Sequence, residues 1–405
     1  MDSNLKIASY ASKNIPFYRK YDSLLTVDKK MTQEMFDSFP ILEKVDLQRN
    51  REQIINPLNQ QKQIYTVFTS GTSGFPLKVD WLHSEFLKSN FYTWYLRRKW
   101  YNILPSDKYC TFHSSVSANH EFVINDVLLY EKNRILSLGR YIYSEDVLRK
   151  YIRLICEFSP KWILAQPSVL YLLADYMERK NIKIESVQYI ELNGEFFENA
   201  VYQKIKRVFN VPIANLYGSV EFNGIALTCP YGHMHILENN VYVENRNRVG
   251  FELIITGLVN KYMPLIRYNI GDRGEIIEDC HCKCGIIGKQ LKLLRGRSHE
   301  IITLQNDYSI DPAAFINIVN DLNAECDIIH QFRLEIRNKK MILHLLVEKA
   351  QRNAVEVRKR YLLQKLCEFK KEDMEFDIAI STNPKEFLNS DSKFTFVKTY
   401  KDVLT

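Results

Sequence analysis

Residues 145–218 read EDVLRKYIRLICEFSPKWILAQPSVLYLLADYMERKNIKIESVQYIELNGEFFENAVYQKIKRVFNVPIANLYG. Val147, Leu148, Tyr151, Ile152 and Ile155 recur at helical spacing, and the short apolar run Trp162 to Ala165 follows. Next come a helical pattern through Leu170, Leu173, Ala174 and Met177, the run Val187 to Leu192, a helix through Val201, Ile205 and Val208, and the run Ile213 to Leu216. Ser168, just after Pro167, is the expected N-cap of the first of these two helices. Strands alternating with helices predict a parallel sheet joined by right-handed crossovers, and ligands of such sheets sit at the carboxyl ends of the strands. Two loops stand there: Asn193-Gly194-Glu195 and Tyr217-Gly218-Ser219.

Outward from this stretch the pattern changes. From about His235 to Leu294 short β-prone runs such as Phe251 to Thr256 predict a small antiparallel subdomain. Beyond Gly296, Phe332–Ile336 and Met341–Val347 flank a polar turn as a hairpin, and a basic helix near Val355 to Phe369 and a β-prone run, Met374 to Ile380, follow. This tail reads as an α+β module of about 100 residues. In all, 405 residues exceed one ordinary hydrophobic core, so a large domain followed by a smaller one is expected.

Composition removes several classes. Hydrophobic residues at 46% and charged residues at 25% exclude disorder, and the net charge of +7 is spread along the chain with no basic stripe for nucleic acid. The opening lacks a secretory layout, and no apolar run approaches a membrane span. A cytoplasmic location is expected. Eight cysteines then suit thiols or metal ligands better than disulfides. Cys110, Cys156, Cys326 and Cys367 are single and expected in the core.

The remaining four cysteines fall in CPYGHMH (229–235) and CHCKCG (280–285), two clusters of soft ligands on turn-like segments about 50 residues apart. They predict one tetrahedral zinc site from Cys229, His235, Cys282 and Cys284, with His233 and Cys280 as alternates and free thiols as the competing reading. Four protein ligands leave no position for water, so the zinc is read as structural. The strongest local signal lies upstream, where the β-prone run Tyr65 to Phe68 enters Thr69-Ser70-Gly71-Thr72-Ser73-Gly74-Phe75-Pro76. Small residues with backbone donors and hydroxyls form a nest for anionic oxygens. The Gly-Lys-Ser/Thr ending of a Walker loop is missing, and for GTSG alone a plain surface loop competes.

TSGTSGFP, NGE (193–195), YGSVE (217–221), PLIRYNIGD (264–272) and GRSHE (296–300) stand in the order and at about the spacing of the acyl-adenylate-forming superfamily. With the opening Asn14-Ile15-Pro16-Phe17-Tyr18, the chain most resembles its phenylacetate-CoA ligase and capsule-biosynthesis branch over nearly its whole length. The resemblance implies an α/β fold. A large ATP- and acid-binding domain, residues 1–296, would combine layered, mainly parallel sheets and helices with a small β subdomain. A small mobile α+β C-terminal lid, residues 297–405, would follow.

It further implies that Thr69 to Gly74 hold the ATP phosphates, that Gly194 and Glu195 border the adenine, that Tyr217 stacks near the base, and that Gly218 and Ser219 approach phosphate. Glu221 would help hold Mg²⁺, which prefers oxygen ligands. Asp272 would accept from both ribose hydroxyls, Arg297 would contact the nucleotide, Glu300 would act as hinge acid, and Lys393 would supply the catalytic cation. Two positions depart from the family: Val220 replaces the usual Thr, and Glu300 replaces the common Asp. His113 and His120 stand about where the family lines its acid pocket.

The implied activity is ATP-dependent conversion of a small carboxylic acid to an acyl-AMP, followed by transfer to an acceptor, with coenzyme A foremost. An adenylyltransferase, an amide or carrier-thiol ligase, and a nucleotide-binding protein without turnover are the alternatives. No nucleic-acid partner is expected, and a homodimer is left open.

Overall fold

The computed structural model describes residues 2–24, 31–59, 63–68, 77–113, 127–139, 145–246, 251–297, 302–304, 308–310, 329–337, 340–367, 375–387 and 397–400. The chain divides into two compact units, Met1–Pro105 with Ala214–Ser298, and Ser106–Ile213 with His299–Thr405. Among the described residues no helix is long and apolar enough to cross a membrane. The architecture is a mixed α/β fold of large sheets and helices, as the sequence predicts.

The first unit is built on antiparallel strands. In spatial order they are Val241–Asn245, Glu252–Gly257, Tyr268–His281, Ile287–Arg297, Met234–Ile236, Asn223–Thr228 and Ile213–Ser219. One face buries Phe222, Ile225, Leu253, Ile255, Tyr268 and Leu291 against Val79 and Trp81 of the strand Lys78–Leu82. The N-terminal helix Ser3–Asn14 turns its Leu5, Ile7, Ala8 and Ala11 inward. Tyr18 follows, fully buried: its hydroxyl donates to the Pro264 carbonyl at 3.1 Å and accepts from the Ile266 amide at 3.3 Å. Two of the ordered motifs, NIPFY and PLIRYNIGD, therefore meet. Burial in this apolar setting pushes the Tyr18 phenol pKa up.

Arg267 aims the next strand. Its backbone is left-handed, φ +51°, and its guanidinium bonds Glu244 at 2.8 Å, the Phe39 carbonyl at 2.8 Å and the Asp37 carbonyl. A planar fork with five donors suits three acceptors on separate segments. The strand Tyr268–His281 thus leaves this point in a fixed direction.

The second unit carries the parallel sheet. Its order is Tyr189–Asn193, Trp162–Ala165, Tyr109–His113, Ile135–Gly139, Val127–Tyr130; the first four are parallel and the last is an antiparallel edge. The helix Glu145–Phe158 buries Leu148, Tyr151, Ile152 and Ile155, the face its spacing predicts. Helix Pro167–Lys180 is buried along most of its length, including Val169, Leu170, Leu173 and Met177. Each such side chain contributes about 1.5–3 kcal/mol.

The C-terminal segment of this unit forms a four-stranded sheet in the order Glu375–Ser381, Lys340–Val347, Ile329–Arg337, Val397–Tyr400, with the helix Arg352–Cys367. The central hairpin is the one expected from the sequence. Lys204 links it to the parallel-sheet segment: its side chain is 3% exposed, and it pairs with Glu178 at 2.7 Å, Glu348 at 3.3 Å and Asp175 at 3.4 Å. Burial alone would lower its pKa, but the three carboxylates outweigh it and the net direction is upward.

Three expectations are corrected. The helix Pro167–Lys180 has Gln166 at its N-cap, because Pro167 takes the first helical position, so Ser168 lies inside the first turn. Cys156 is exposed at the edge of the apolar face of its helix, whereas Cys110 is buried as expected. Tyr217-Gly218-Ser219 is the end of a strand and not a loop, since Tyr217 pairs with Ala226 and Gly218 with Gly224 across a tight hairpin.

Candidate functional site

In the first unit the hairpin 213–228 and the strand Tyr268–His281 bring polar groups from two motifs together. The Tyr217 hydroxyl donates to Asp272 Oδ2 at 2.9 Å, across 55 residues of sequence. Asp272 follows Gly271, whose φ of +81° lets the chain turn there, and lies at a register shift in the strand opposite Arg297. The irregular pairing frees the carboxylate from a plain ladder position. Beside Tyr217, a Cβ on Gly218 would lie 2.3 Å from the Asn223 carbonyl oxygen, so only glycine fits.

Ser219 Oγ is buried and has no hydrogen-bond partner among the described residues. Such a hydroxyl keeps its donor for a further acceptor. Glu221 is 8% exposed, and the Tyr268 hydroxyl lies 3.4 Å from its Oε1. Val220, where the family commonly has Thr, is partly buried against the cluster of Phe222 and Tyr268. Its side chain contributes packing at a position where a hydroxyl would otherwise stand.

The second unit arranges its own groups at the carboxyl ends of its parallel strands. Asn193 ends one strand and Gly194 follows with φ +76°. Glu195 then folds back onto the helix Pro167–Lys180, accepting from the Ser168 amide at 3.1 Å and the Ser168 hydroxyl at 2.9 Å. It caps the helix from another segment, a role worth about 1 kcal/mol for an N-terminal acceptor. Gln166 Oε1 and Asn193 Oδ1 are buried with no partner among the described residues, two open acceptors beside Gly194. His113 ends the strand Tyr109–His113, with Nδ1 2.7 Å from Ser137 Oγ.

The clearest cluster is sulfur and nitrogen. Ligand atoms of Cys229, His235, Cys282 and Cys284 all lie within 4.8 Å of one another. Cys229 and Cys282 Sγ are 3.7 Å apart, and Cys284 Sγ lies 3.3 Å from His235 Nε2. A tetrahedron with metal–sulfur bonds near 2.3 Å and metal–nitrogen bonds near 2.0 Å has edges of about 3.5 to 3.8 Å. The Cys229–Cys282 spacing falls in that range, the Cys284–His235 spacing is about 0.2 Å shorter, and the remaining pairs lie within 4.8 Å, so the four atoms are gathered closely enough to surround one ion.

Local sequence builds this arrangement. Gly232 and Gly285 have φ of +83° and +82°, and their amides bond the carbonyls of Cys229 and Cys282 at 2.9 and 3.0 Å. Two Cys-x-x-Gly turns thus present Cys229 and Cys282. His235 is 1% exposed on the strand Met234–Ile236. Burial, then His233, lowers its pKa, which keeps the imidazole neutral as a ligand must be. Burial pushes the Cys284 thiol up to about 12, while at Cys282 burial is outweighed by hydrogen bonds from the Cys284 amide, His233, Cys284 and Cys229, which bring it to about 7. His233 Nδ1 lies 3.1 Å from Cys282 Sγ on the exposed side, and Cys280 instead faces the carbonyls of Ile277 and Glu278.

Thr69 to Gly74, His120, Glu300 and Lys393 lie outside the described residues, and Arg297 is described for its backbone alone. The strand Ile64–Phe68 that leads to the first of these is anchored by Thr66, which donates to Asp80 Oδ1 at 2.7 Å, and by an Arg51–Asp80 ion pair. Sequence reasoning missed the Tyr268 contact to Glu221 and the Ser168 contact to Glu195, although Pro167 at a helix start was a signal for the second.

No family model matches the chain. Among solved structures, 2-hydroxyisobutyryl-CoA ligase in the postadenylation state in complex with R3-HIB-AMP is similar over 99% of this chain and 89% of its own, with TM-score 0.71 and 14% identity. The anthranilate CoA ligase AuaEII in complex with anthranoyl-AMP is similar over 82% of this chain and 66% of its own, with TM-score 0.51 and 14% identity. The chain shares its fold with these two CoA ligases. The sequence is similar to Protein CapK of Staphylococcus aureus, 23% identical over 323 residues that make up 74% of this chain and 69% of that protein.

Proposed function

We propose that the protein is an ATP-dependent adenylate-forming ligase that activates a small carboxylic acid as an acyl-AMP and passes the acyl group to coenzyme A. The Tyr217–Asp272 hydrogen bond supports this reading most, since it joins two of the motifs and holds a carboxylate beside an aromatic ring. Ionised Asp272 keeps enough lone pairs for both ribose hydroxyls while accepting from Tyr217. The Tyr217 ring, tethered through its hydroxyl, offers a face to the base.

One oxygen of the substrate carboxylate attacks the α-phosphorus of ATP, and the bond to the bridging oxygen breaks as pyrophosphate leaves. Such a displacement depends on positioning and charge neutralisation. Thr69 to Gly74 cradle the phosphates, Ser219 donates to one of them, and Lys393 pairs with the carboxylate and α-phosphate. Magnesium, when bound, would neutralise phosphate charge, and Glu221 would be the carboxylate that helps hold it. The lid of residues 297–405 then turns about the segment near Glu300, and a thiol attacks the acyl carbonyl with AMP as leaving group. His113 and His120 belong to the acid pocket in this reading, and the cytoplasm supplies both ATP and thiol. Release of AMP, followed with aryl, fatty and amino acids in turn, should depend on one acid class and rise with coenzyme A. AMP release that no acid stimulates would overturn the proposal.

The same reading assigns one structural zinc ion to Cys229, His235, Cys282 and Cys284. Bound there, the metal would tie the Met234–Ile236 strand to the hairpin of Tyr268–His281 and Ile287–Arg297, the hairpin that carries Asp272. Protein purified without chelator should hold about one zinc per chain by elemental analysis, and Cys282→Ser should lose it, with Tm lower by on the order of 10 °C. His235 has a lowered pKa, so its neutral form persists below the ordinary value of about 6.5 and zinc should leave only as pH falls further. Metal-free protein with unchanged Tm contradicts the assignment.

A further inference from the structure

The parallel sheet of the second unit has two unlike faces. One buries Cys110, Phe112, Leu138, Ile163, Ile190 and Leu192 in a core shared with the helices Glu145–Phe158 and Pro167–Lys180. The residues between them alternate to the other face and fall into three rows, because the strands run in register. The first row is aromatic, with Tyr109 and Trp162 stacked at 4.5 Å between centroids and Tyr189 beyond. The second sets Ser137, Thr111 and Glu191 about Leu164. The third stands at the carboxyl ends of the strands. There Ala165 pairs with Leu192 and Thr111 with Leu164, so Gln166 comes level with Asn193 on one side and His113 on the other.

A parallel sheet enclosed on both faces ordinarily carries apolar residues on both. Here Glu191 is 0% and Ser137 2% exposed, so polar groups stand where packing alone would favour Val or Ile. The deeper ones are met within the protein: the Tyr189 hydroxyl donates to Glu191 at 2.9 Å, and Ser137 Oγ lies 2.7 Å from His113 Nδ1. The outer pair is not. Gln166 Oε1 and Asn193 Oδ1 are both buried without a partner among the described residues, a costly state unless a ligand relieves it.

Resting on the adenylation reading above, we propose that these two amides select the acid, and that it is a hydroxylated carboxylic acid whose hydroxyl lies between Gln166 and Asn193. Side chains level on adjacent strands stand about 4.8 Å apart, which leaves room for one oxygen between them. A hydroxyl donates and accepts at once, so it can give its proton to one amide carbonyl and receive one from the other amide's NH₂. An ammonium group, or the amine of a base, only donates and leaves the NH₂ ends unmet. An acid of the same skeleton without the hydroxyl would bury both amides unsatisfied. Sites of that kind reject the lacking analogue most strongly.

Pyrophosphate exchange with matched acids tests this. Lactate, β-hydroxybutyrate and salicylate are each set against the acid with hydrogen, and the acid with an amino group, in place of the hydroxyl. In wild-type protein kcat/KM should favour the hydroxylated member of at least one set by about 100-fold or more. Gln166→Met and Asn193→Leu should each cut that ratio by about tenfold or more, the loss falling on the hydroxylated acid; a defect of folding would lower all members alike. Calorimetry of the two variants with ATP and magnesium should show wild-type affinity, and a loss there would assign the amides to the base and overturn the inference. Equal exchange across every set, a preference for the amino member, or a ratio unmoved in both variants also overturns it while leaving adenylation in place. Exchange with no acid at all overturns both readings.

Discussion

Asp272→Ala should weaken ATP binding by about 30- to 1,000-fold, the equivalent of about 2–4 kcal/mol for losing two charge-assisted hydrogen bonds. The carboxylate already accepts from Tyr217, so the substitution also removes the tether that fixes the aromatic ring. Asp272→Asn separates the two effects. An amide oxygen still accepts from Tyr217 but lacks the charge that strengthens the ribose contacts, so its loss of affinity should fall between wild type and alanine. Calorimetry with ATP and magnesium reads both variants. Unchanged affinity in Asp272→Ala would remove this residue from the nucleotide site.

Lys393→Ala should lower acyl-AMP formation by about 100- to 1,000-fold or more, the scale for removing one preorganised partner of developing transition-state charge. The residue stands in NSDSKF (389–394), after the last predicted strand, with small polar residues before it that let a loop reach inward. A lysine suits the task because its ammonium is a compact charge on a flexible stem. Acyl transfer from synthetic acyl-AMP to coenzyme A should remain, since in the proposed cycle that half-reaction follows withdrawal of the lysine. Single-turnover assays of the two halves make the comparison. Equal adenylation rates in variant and wild type would make Lys393 an ordinary surface cation.

Much of the fold was legible because its elements obey one period each. Leu148, Ile152 and Ile155 face a core at helical spacing, and the hairpin 329–347 alternates around a polar turn. The Cys229, His235, Cys282 and Cys284 set could be read because soft ligands on Gly-bearing turns seldom serve another purpose together. Long-range pairing was the part local pattern could not supply. Nothing near Tyr217 says that its hydroxyl meets Asp272, or that its strand continues through Ser219 into an antiparallel hairpin. The same holds for Glu195: its sequence neighbours suggest a ligand loop, while its carboxylate caps a helix that begins 28 positions earlier. Cys156 shows the limit of residue type as a guide, since cysteine is usually buried but this one lies at the edge of its helix's apolar face.

The proposed reaction joins a carboxylate to the α-phosphate of ATP. Exchange of labelled pyrophosphate into ATP reads that step alone, because it needs reversible acyl-AMP formation and no acceptor. With the full chain, magnesium and a panel of aryl, fatty and amino acids, exchange should appear with one acid class and fall to background in Asp272→Ala. Exchange absent with every acid, in protein that binds ATP normally, would contradict the claim and leave a nucleotide-binding protein without turnover.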